Sequence, residues 1–415
     1  MRTRPGLGQA LAAMAYGDYR RFVVSLLATQ LGAQILNIAT LWQVYQLTGS
    51  PLLLGLTGLT RAGPHIVLSL AGGVIADRLN RVRLIQSGQI ANAAVALVLG
   101  VLTLTQTVEV WHLYVATFLN SAFSAVSQPA RTALIPKLVP RAILVNAVAL
   151  QLTIGQSSQI VGPALGGVAM GVIDLGPTYV ITGLAYLGGV LALVGVRVAE
   201  PTISKESPWR SLVEGLSFVR QKPVIVSLLA LDLGETVLGS YRALLPILAV
   251  ELGVGPEGYG LLNAAPGLGG VLGASFILSL GDMRYKGLFT IFGVLAYCAA
   301  LAVLAVSPWF LLSLVAAGLL GTTNAVQMIP RNAAILAISP DALRGRVEAF
   351  RTMLAGGGPP LGYTTSGALA AALGPAVALV VGAASCAALV VAIAATRREL
   401  RDPNLGSMHI SDRSP

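Results

Sequence analysis

The chain has 415 residues, of which 55% are hydrophobic and only 11% charged, and it carries a net charge of +10. A soluble domain has roughly a quarter charged residues, so lipid, not water, must solvate most of this polymer. The basic surplus is scattered in short runs between apolar segments, which argues against nucleic acid as a partner and marks loops held in the cytoplasm.

A bilayer-crossing helix needs about 20 mostly apolar residues, and twelve such segments can be laid along the chain. The first six cover 22–47, 52–76, 82–105, 110–135, 145–172 and 177–197. A polar stretch, 198–222, follows. Within it, Ser207 to Lys222 reads as an amphipathic surface helix, with Trp209, Leu212, Leu216, Phe218 and Val219 opposing Arg210, Arg220 and Lys222. The second six cover 223–250, 257–281, 287–306, 309–337, 347–373 and 375–396. These lengths fit helices; barrel strands would be about ten residues of alternating polarity. The domain reading is therefore 1–198, a six-helix bundle; 199–222, a cytoplasmic linker; and 223–415, a second six-helix bundle with a short tail.

Apart from Arg61 and Arg242, the 27 Lys and Arg fall at the termini or in and beside the connections after spans 2, 4, 6, 8 and 10. The opposite connections hold Glu109, Asp174, Glu251 and Glu257 and no Lys or Arg. Both termini are thus expected in the cytoplasm, with an even number of spans. No removable signal peptide is expected, because no short apolar stretch with a small-residue cleavage site opens the chain.

The two halves repeat each other. At an offset of 205, Gly55 pairs with Gly260, Asp77 with Asp282 and Arg81 with Lys286. At an offset of 200, Val115, Ala125, Arg131 and Pro140 recur as Val315, Ala325, Arg331 and Pro340. Two like-oriented six-helix halves imply a pseudo-two-fold axis along the membrane normal, a site at their interface and rocking of one half against the other.

Ionisable groups inside spans cost about 2.5–3.5 kcal/mol each on insertion scales, so each needs a reason. Arg61 lies in span 2, about ten residues or roughly 15 Å from its outer end. His65, one turn later, reads as a core or hydrogen-bonded histidine before a titrating one. Span 7 carries Asp232, Glu235 and Arg242 at spacings of 3 and 7, one face of a continuous helix. These charges either neutralise one another as fixed pairs or supply a protonatable carboxyl in a translocation cavity. In general, burial and a neighbouring acid favour the protonated form and a nearby arginine opposes it. Glu235, near mid-depth beside Asp232, is the first candidate for proton coupling and Asp232 the second.

Polar stripes run along other spans: Gln30, Gln34 and Asn37 in span 1; Asn120, Ser124, Ser127 and Arg131 in span 4; Asn324, Gln327 and Arg331 in span 10. Hydrogen bonding between helices, at about 1 kcal/mol or less per bond, also accounts for such stripes. Arg131 and Arg331 stand toward cytoplasmic helix ends, within reach of headgroups, terminal carbonyls or loop acids. Gly162, Pro163, Gly166 and Gly167 predict a tight, bendable packing seam, and "GGGPPLGY", Gly356 to Tyr363, is expected to interrupt span 11. Cys298 and Cys386 read as small core residues. Nucleotide-binding loops, metal-ligand spacings and nucleophile–base pairs are missing from the sequence, so an enzyme is not expected.

Several motifs carry a family resemblance. Gly73, Asp77, Arg78, Arg81 and Arg83 resemble the loop 2–3 signature of the major facilitator superfamily, and Gly273, Asp282 and Lys286 form its weaker copy. "GPALGG", Gly162 to Gly167, is similar to the motif of the proton-coupled exporters; Gly155 sits two positions nearer than the usual upstream glycine. "SPWRSLVEGLSFVRQKP" and "PDALRGRV" look like the drug:proton antiporter-like subgroup that holds macrolide and multidrug exporters and the enterobactin exporter. The resemblance implies an all-α membrane protein of the major facilitator fold, twelve transmembrane helices in two six-helix bundles related by pseudo-two-fold symmetry.

It further implies that spans 1, 4, 7 and 10 line a central cavity. Gln30, Gln34, Asn37, Asn120, Ser124, Asn324 and Gln327 then become substrate-cavity candidates, joined by Arg61 and Arg242. Gly73, Asp77, Arg78, Arg81, Arg83, Asp282 and Lys286 become a cytoplasmic gate that latches the halves when the cavity faces out.

The expected function is a proton-coupled secondary exporter of small amphipathic, drug-like molecules, working by alternating access in a bacterial inner membrane. It would have small-molecule substrates, the lipid bilayer as surroundings, no cofactor beyond the proton gradient, and no nucleic-acid partner, acting as a monomer. A siderophore exporter, a lysophospholipid transporter and a non-transporting membrane sensor or scaffold are the alternatives.

Overall fold

The computed structural model describes residues 11–196, 198, 208–281, 283 and 285–402; the side chains of 11, 69–78, 208–212 and 342 also lie outside the described part. Every regular element among the described residues is helical. In chain order these are α1 (Gly17–Thr48), α2 (Pro51–Arg78), α3 (Arg81–Leu104), α4 (Val110–Leu138), α5 (Leu144–Ile173) and α6 (Leu175–Ala192). Then come α7 (Pro208–Gln221), α8 (Pro223–Leu233), α9 (Leu245–Glu251), α10 (Gly255–Ser279), α11 (Lys286–Ala305), α12 (Phe310–Ile338), α13 (Asp341–Leu373) and α14 (Pro375–Thr396).

Helices stand at all twelve predicted span positions, with α8 and α9 together filling the seventh. By length and apolar composition alone, eight spans qualify among the described residues, and nine if the pair Val110–Leu138 and Arg141–Ile173, bent by 119°, is one broken span. Helix α13 opens with Asp341, Arg344, Arg346, Glu348 and Arg351, and α2 contains Arg61, Asp77 and Arg78.

The chain clusters into two compact units. One comprises Met1–Thr48 and Gly63–Lys205. There α1 packs on α5 and α6, and α3 packs on α4 and α6. Tyr19, Phe22, Leu26, Ile85, Leu134 and Ile135 build a buried hydrophobic cluster, where the Tyr19 hydroxyl donates to the Ala147 carbonyl at 2.8 Å. Gln89 Nε2 ties α3 to α1, donating to Ser25 Oγ at 2.7 Å and Thr29 Oγ1 at 2.6 Å. Along the α1–α5 seam, a Cβ placed at Gly162 would meet Gln34 Cβ at 2.6 Å, and one at Gly166 would meet Ile38 Cδ1 at 2.8 Å. At Gly162 the contact falls on the first carbon of the Gln34 side chain, which cannot swing aside, so that close approach needs glycine. Pro163 lies inside an unbroken α5.

The other unit comprises Gly49–Ala62 and Glu206–Pro415. The opening turns of α2 belong here because Gly55 meets the backbone of Gly367 in α13 and Thr364 Oγ1 donates to the Gly55 carbonyl at 3.1 Å. Helices α10 and α12 touch backbone to backbone: a Cβ at Gly269 would collide with the Gly318 carbonyl, and one at Gly321 with that of Pro266. The amphipathic helix is present as α7, held to α13 by an Arg346–Glu214 ion pair. The side chains of Trp209, Arg210 and Leu212 and residues 199–207 lie outside the described part.

Two expectations about helix continuity are corrected. The "GGGPPLGY" stretch does not interrupt its span: α13 runs from Asp341 to Leu373 with Pro359 and Pro360 inside it. Span 7, expected to be one regular helix, is broken between α8 and α9.

Candidate functional site

The break in span 7 builds the site. After α8 ends at Leu233, residues Gly234–Leu238 wind as a π-helical turn, and Arg242–Leu244 form a single 3₁₀ turn before α9. Gly234, Gly239 and Pro246 favour the interruption, since glycine weakens helix and proline removes an i→i−4 donor. Neighbouring helices satisfy the carbonyls that the break releases, as a span in lipid requires. Tyr297 Oη of α11 donates to the Gly239 carbonyl at 2.9 Å, and Thr365 Oγ1 of α13 donates to that of Val237 at 2.8 Å. Single π turns of this kind are frequent at functional sites.

The turn carries Glu235, which is 1% exposed. Its carboxylate accepts hydrogen bonds from two amides of α12, Asn324 Nδ2 at 2.6 Å and Gln327 Nε2. Gln327 Oε1 in turn accepts from Arg331 Nη1 at 2.9 Å, and the same nitrogen pairs with Asp232 Oδ1 at 2.7 Å. Glu235, Gln327 and Arg331 are each no more than 3% exposed, and Asp232 is 8% exposed.

A buried chain therefore runs Asp232–Arg331–Gln327–Glu235–Asn324. The next cation, Arg351, is bound by Glu348 of its own helix and so does not serve Glu235. Arg351 also acts on Asp232 but is matched by Glu348; with that pair neutral, Arg331 is left to balance two carboxyls, and a single proton makes the cluster neutral.

The predicted residues distribute as follows. Glu235, Asp232, Asn324 and Gln327 come together. Arg331, expected near headgroups or loop acids, is instead sequestered inside the unit by Asp232. Arg242 does not share a helical face with the two acids, because it follows the break; its guanidinium carbon lies 5.9 Å from the Tyr241 ring centroid, a cation–π neighbour.

Among the remaining cavity candidates, Gln30, Gln34, Asn37, Arg61 and Ser124 are half-buried. Asn120 Nδ2 donates to Asn92 Oδ1 of α3 at 3.1 Å, a bond within one bundle. His65 is half-buried in α2. Cys298 and Cys386 are buried free thiols.

Of the gate residues, Asp282 and the side chains of Gly73, Asp77 and Arg78 lie outside the described part, although α2 runs as helix through residue 78. Arg81 Nη1 donates to the Ala133 carbonyl of α4 at 3.0 Å. Asn80 caps α3 by accepting from the Val82 and Arg83 amides. Arg83 is exposed and Lys286 half-buried at the start of α11. Sequence reasoning missed Arg331 as the partner of Asp232 and Tyr297 as the donor to the Gly239 carbonyl. The four-residue step from Gln327 to Arg331 was the one signal that placed a cation on the same face.

Comparison with known proteins gives a consistent result. Residues 9–414 match the family model described as "Transmembrane secretion effector". The chain is 26% identical over 347 residues to the "Enterobactin exporter EntS" of Shigella boydii serotype 4, and 25% identical to that of Escherichia coli O139:H28, covering 82% of both chains in each case. Among solved structures, a bacterial homolog of the human lysosomal transporter Spinster, inward-facing, aligns with a TM-score of 0.70 at 15% identity, covering 97% of this chain and 99% of that one. The nucleoside transporter NupG aligns with a TM-score of 0.72 at 13% identity over 91% and 98%. Both matches establish the fold.

Proposed function

The chain belongs to the transmembrane secretion effector family and has the major facilitator fold, a multi-pass membrane transporter and not an enzyme; from this premise we propose that it exports a small siderophore-type molecule in exchange for protons. The cargo class follows the enterobactin exporters it resembles. Export follows the same likeness, since the fold serves import and export alike. In this reading the chain is a monomer of twelve spans, two six-helix halves at 1–198 and 223–415 joined by 199–222. It lies in a bacterial inner membrane with both termini cytoplasmic and works by alternating access. The gate residues of the major facilitator signature, Asp77 with Arg78, Arg81 and Arg83 and their copy at Asp282 and Lys286, act on the cytoplasmic side.

The observation that carries proton coupling is the charge balance around Arg331. Asp232 holds the arginine directly, while Glu235 receives only amide donors. Glu235 can therefore gain or lose a proton without breaking an ion pair, and each change alters the charge of a water-poor cluster by one. Gln327 links the two carboxyls, so Asp232 and Arg331 respond to that charge through the amide.

The test uses purified protein in proteoliposomes with a pH gradient and enterobactin as cargo. The wild type should drive enterobactin against its concentration gradient, and collapse of the pH gradient should stop accumulation. Glu235→Gln, which keeps the side-chain size, should retain downhill exchange and lose the pH-driven component. Full pH-driven transport by Glu235→Gln sinks the role of Glu235; no flux from the wild type sinks the exporter reading and leaves a sensor or scaffold. A second reading, a drug-like cationic cargo, draws on the same surplus negative charge. Parallel assays with a lipophilic cation and a lysophospholipid separate the cargo classes.

A further inference from the structure

The repeat reproduces an arginine without reproducing its partner. Arg131 in α4 and Arg331 in α12 stand 200 residues apart in the aligned motif. Their surroundings correspond in the folded units too: Gly88 of α3 abuts Ser127, one turn before Arg131, as Gly293 of α11 abuts Gln327, one turn before Arg331. Both arginines are buried, 7% and 3% exposed.

Their countercharges differ. Asp232 meets Arg331 at 2.7 Å. Arg131 has neither an ion pair nor a hydrogen bond among the described residues, and its electrostatic neighbour is the Tyr186 hydroxyl of α6. Helix α1 carries the amides Gln30, Gln34 and Asn37, whereas α8 and the π turn carry Asp232 and Glu235. The acids whose side chains are described in this unit, Asp18, Glu109 and Asp174, all sit at helix ends.

A buried guanidinium without an anion is a costly arrangement; its planar fork matches a carboxylate bidentately and can donate to a single phenolate oxygen. We propose that Arg131 is an anion-recognition residue, taking the carboxylate or phenolate oxygens of a small anionic cargo molecule. The inference rests on the exporter reading and adds to it a charge class for the cargo and the side chain that reads it. The internal pair in one unit and the open cation in the other then divide the labour: Asp232 occupies Arg331, and cargo occupies Arg131.

Benzoate and benzamide test this, being alike in shape and different in charge. Thermal unfolding of the full chain in neutral detergent is followed against increasing concentrations of each. Benzoate should stabilise the wild type in a saturable way and benzamide should not. Arg131→Gln should weaken the apparent benzoate affinity at least tenfold, with partial recovery in Arg131→Lys. Arg141→Gln, at an exposed position of the same unit, should leave benzoate affinity within about twofold.

Equal stabilisation by benzoate and benzamide in the wild type overturns the proposal without any variant, as does unchanged benzoate affinity in Arg131→Gln. If added phosphatidylglycerol stabilises the protein through Arg131 and benzoate does not, the site belongs to a lipid phosphate and the cargo assignment falls. Wild-type flux of enterobactin, measured separately, reports on the exporter reading alone.

Discussion

At the scale of single residues, the acids of span 7 are legible in sequence because charges inside apolar runs are rare and expensive. Their partner was hidden. Arg331 lies near the end of a long helix, where a flexible cation ordinarily reaches water, and only the packing of α12 against α8 turns it inward to Asp232. Removing one member of such a buried pair leaves the other uncompensated, at about 3–5 kcal/mol. Asp232→Asn and Arg331→Met should each lower the stability of the purified protein by an amount of that order. The double substitution should cost well under the sum of the two losses, because the Asp232–Arg331 pair is then removed whole. Additive losses in an unfolding titration would mean that the pair is not coupled and that the cluster balances its charge by another route.

At the scale of elements, helix existence was readable throughout, while helix regularity was not. Apolar runs predict a helix at every span position, yet they assigned span 7 a continuous face that the π turn removes and gave α13 a break that it lacks. The difference lies in what surrounds each stretch. Prolines 359 and 360 are accommodated within α13, whereas the Gly239 carbonyl freed in span 7 finds the Tyr297 hydroxyl at 2.9 Å. Tyr297→Phe deletes that donor with little change of volume and should cost about 1–3 kcal/mol, the penalty for a buried carbonyl left unpaired. Circular dichroism of the variant should keep its helix content while the thermal midpoint falls. A midpoint equal to the wild type would show that the π turn stands without Tyr297.

At the scale of the whole molecule, the charge asymmetry of the connections makes a claim that helix packing does not. Connections rich in Lys and Arg alternate along the chain with connections that hold no Lys or Arg, and retention of positive charge in the cytoplasm would orient every span at once. Twelve crossings and eleven crossings then differ in where particular loops emerge, since one broken span in place of two reverses the side of everything after it. Cysteines introduced at exposed positions decide between them. Cys298 and Cys386 are buried, which keeps the background low. Gln106→Cys in the connection after α3 and Gly253→Cys in the connection after α9 should both react with a membrane-impermeant maleimide added to intact cells. Lys222→Cys, beside the amphipathic helix, should react only after the membrane is permeabilised. If Gly253→Cys is protected while Gln106→Cys reacts, an odd number of crossings separates the two positions, and the bent pair of α4 with α5 is a single broken span.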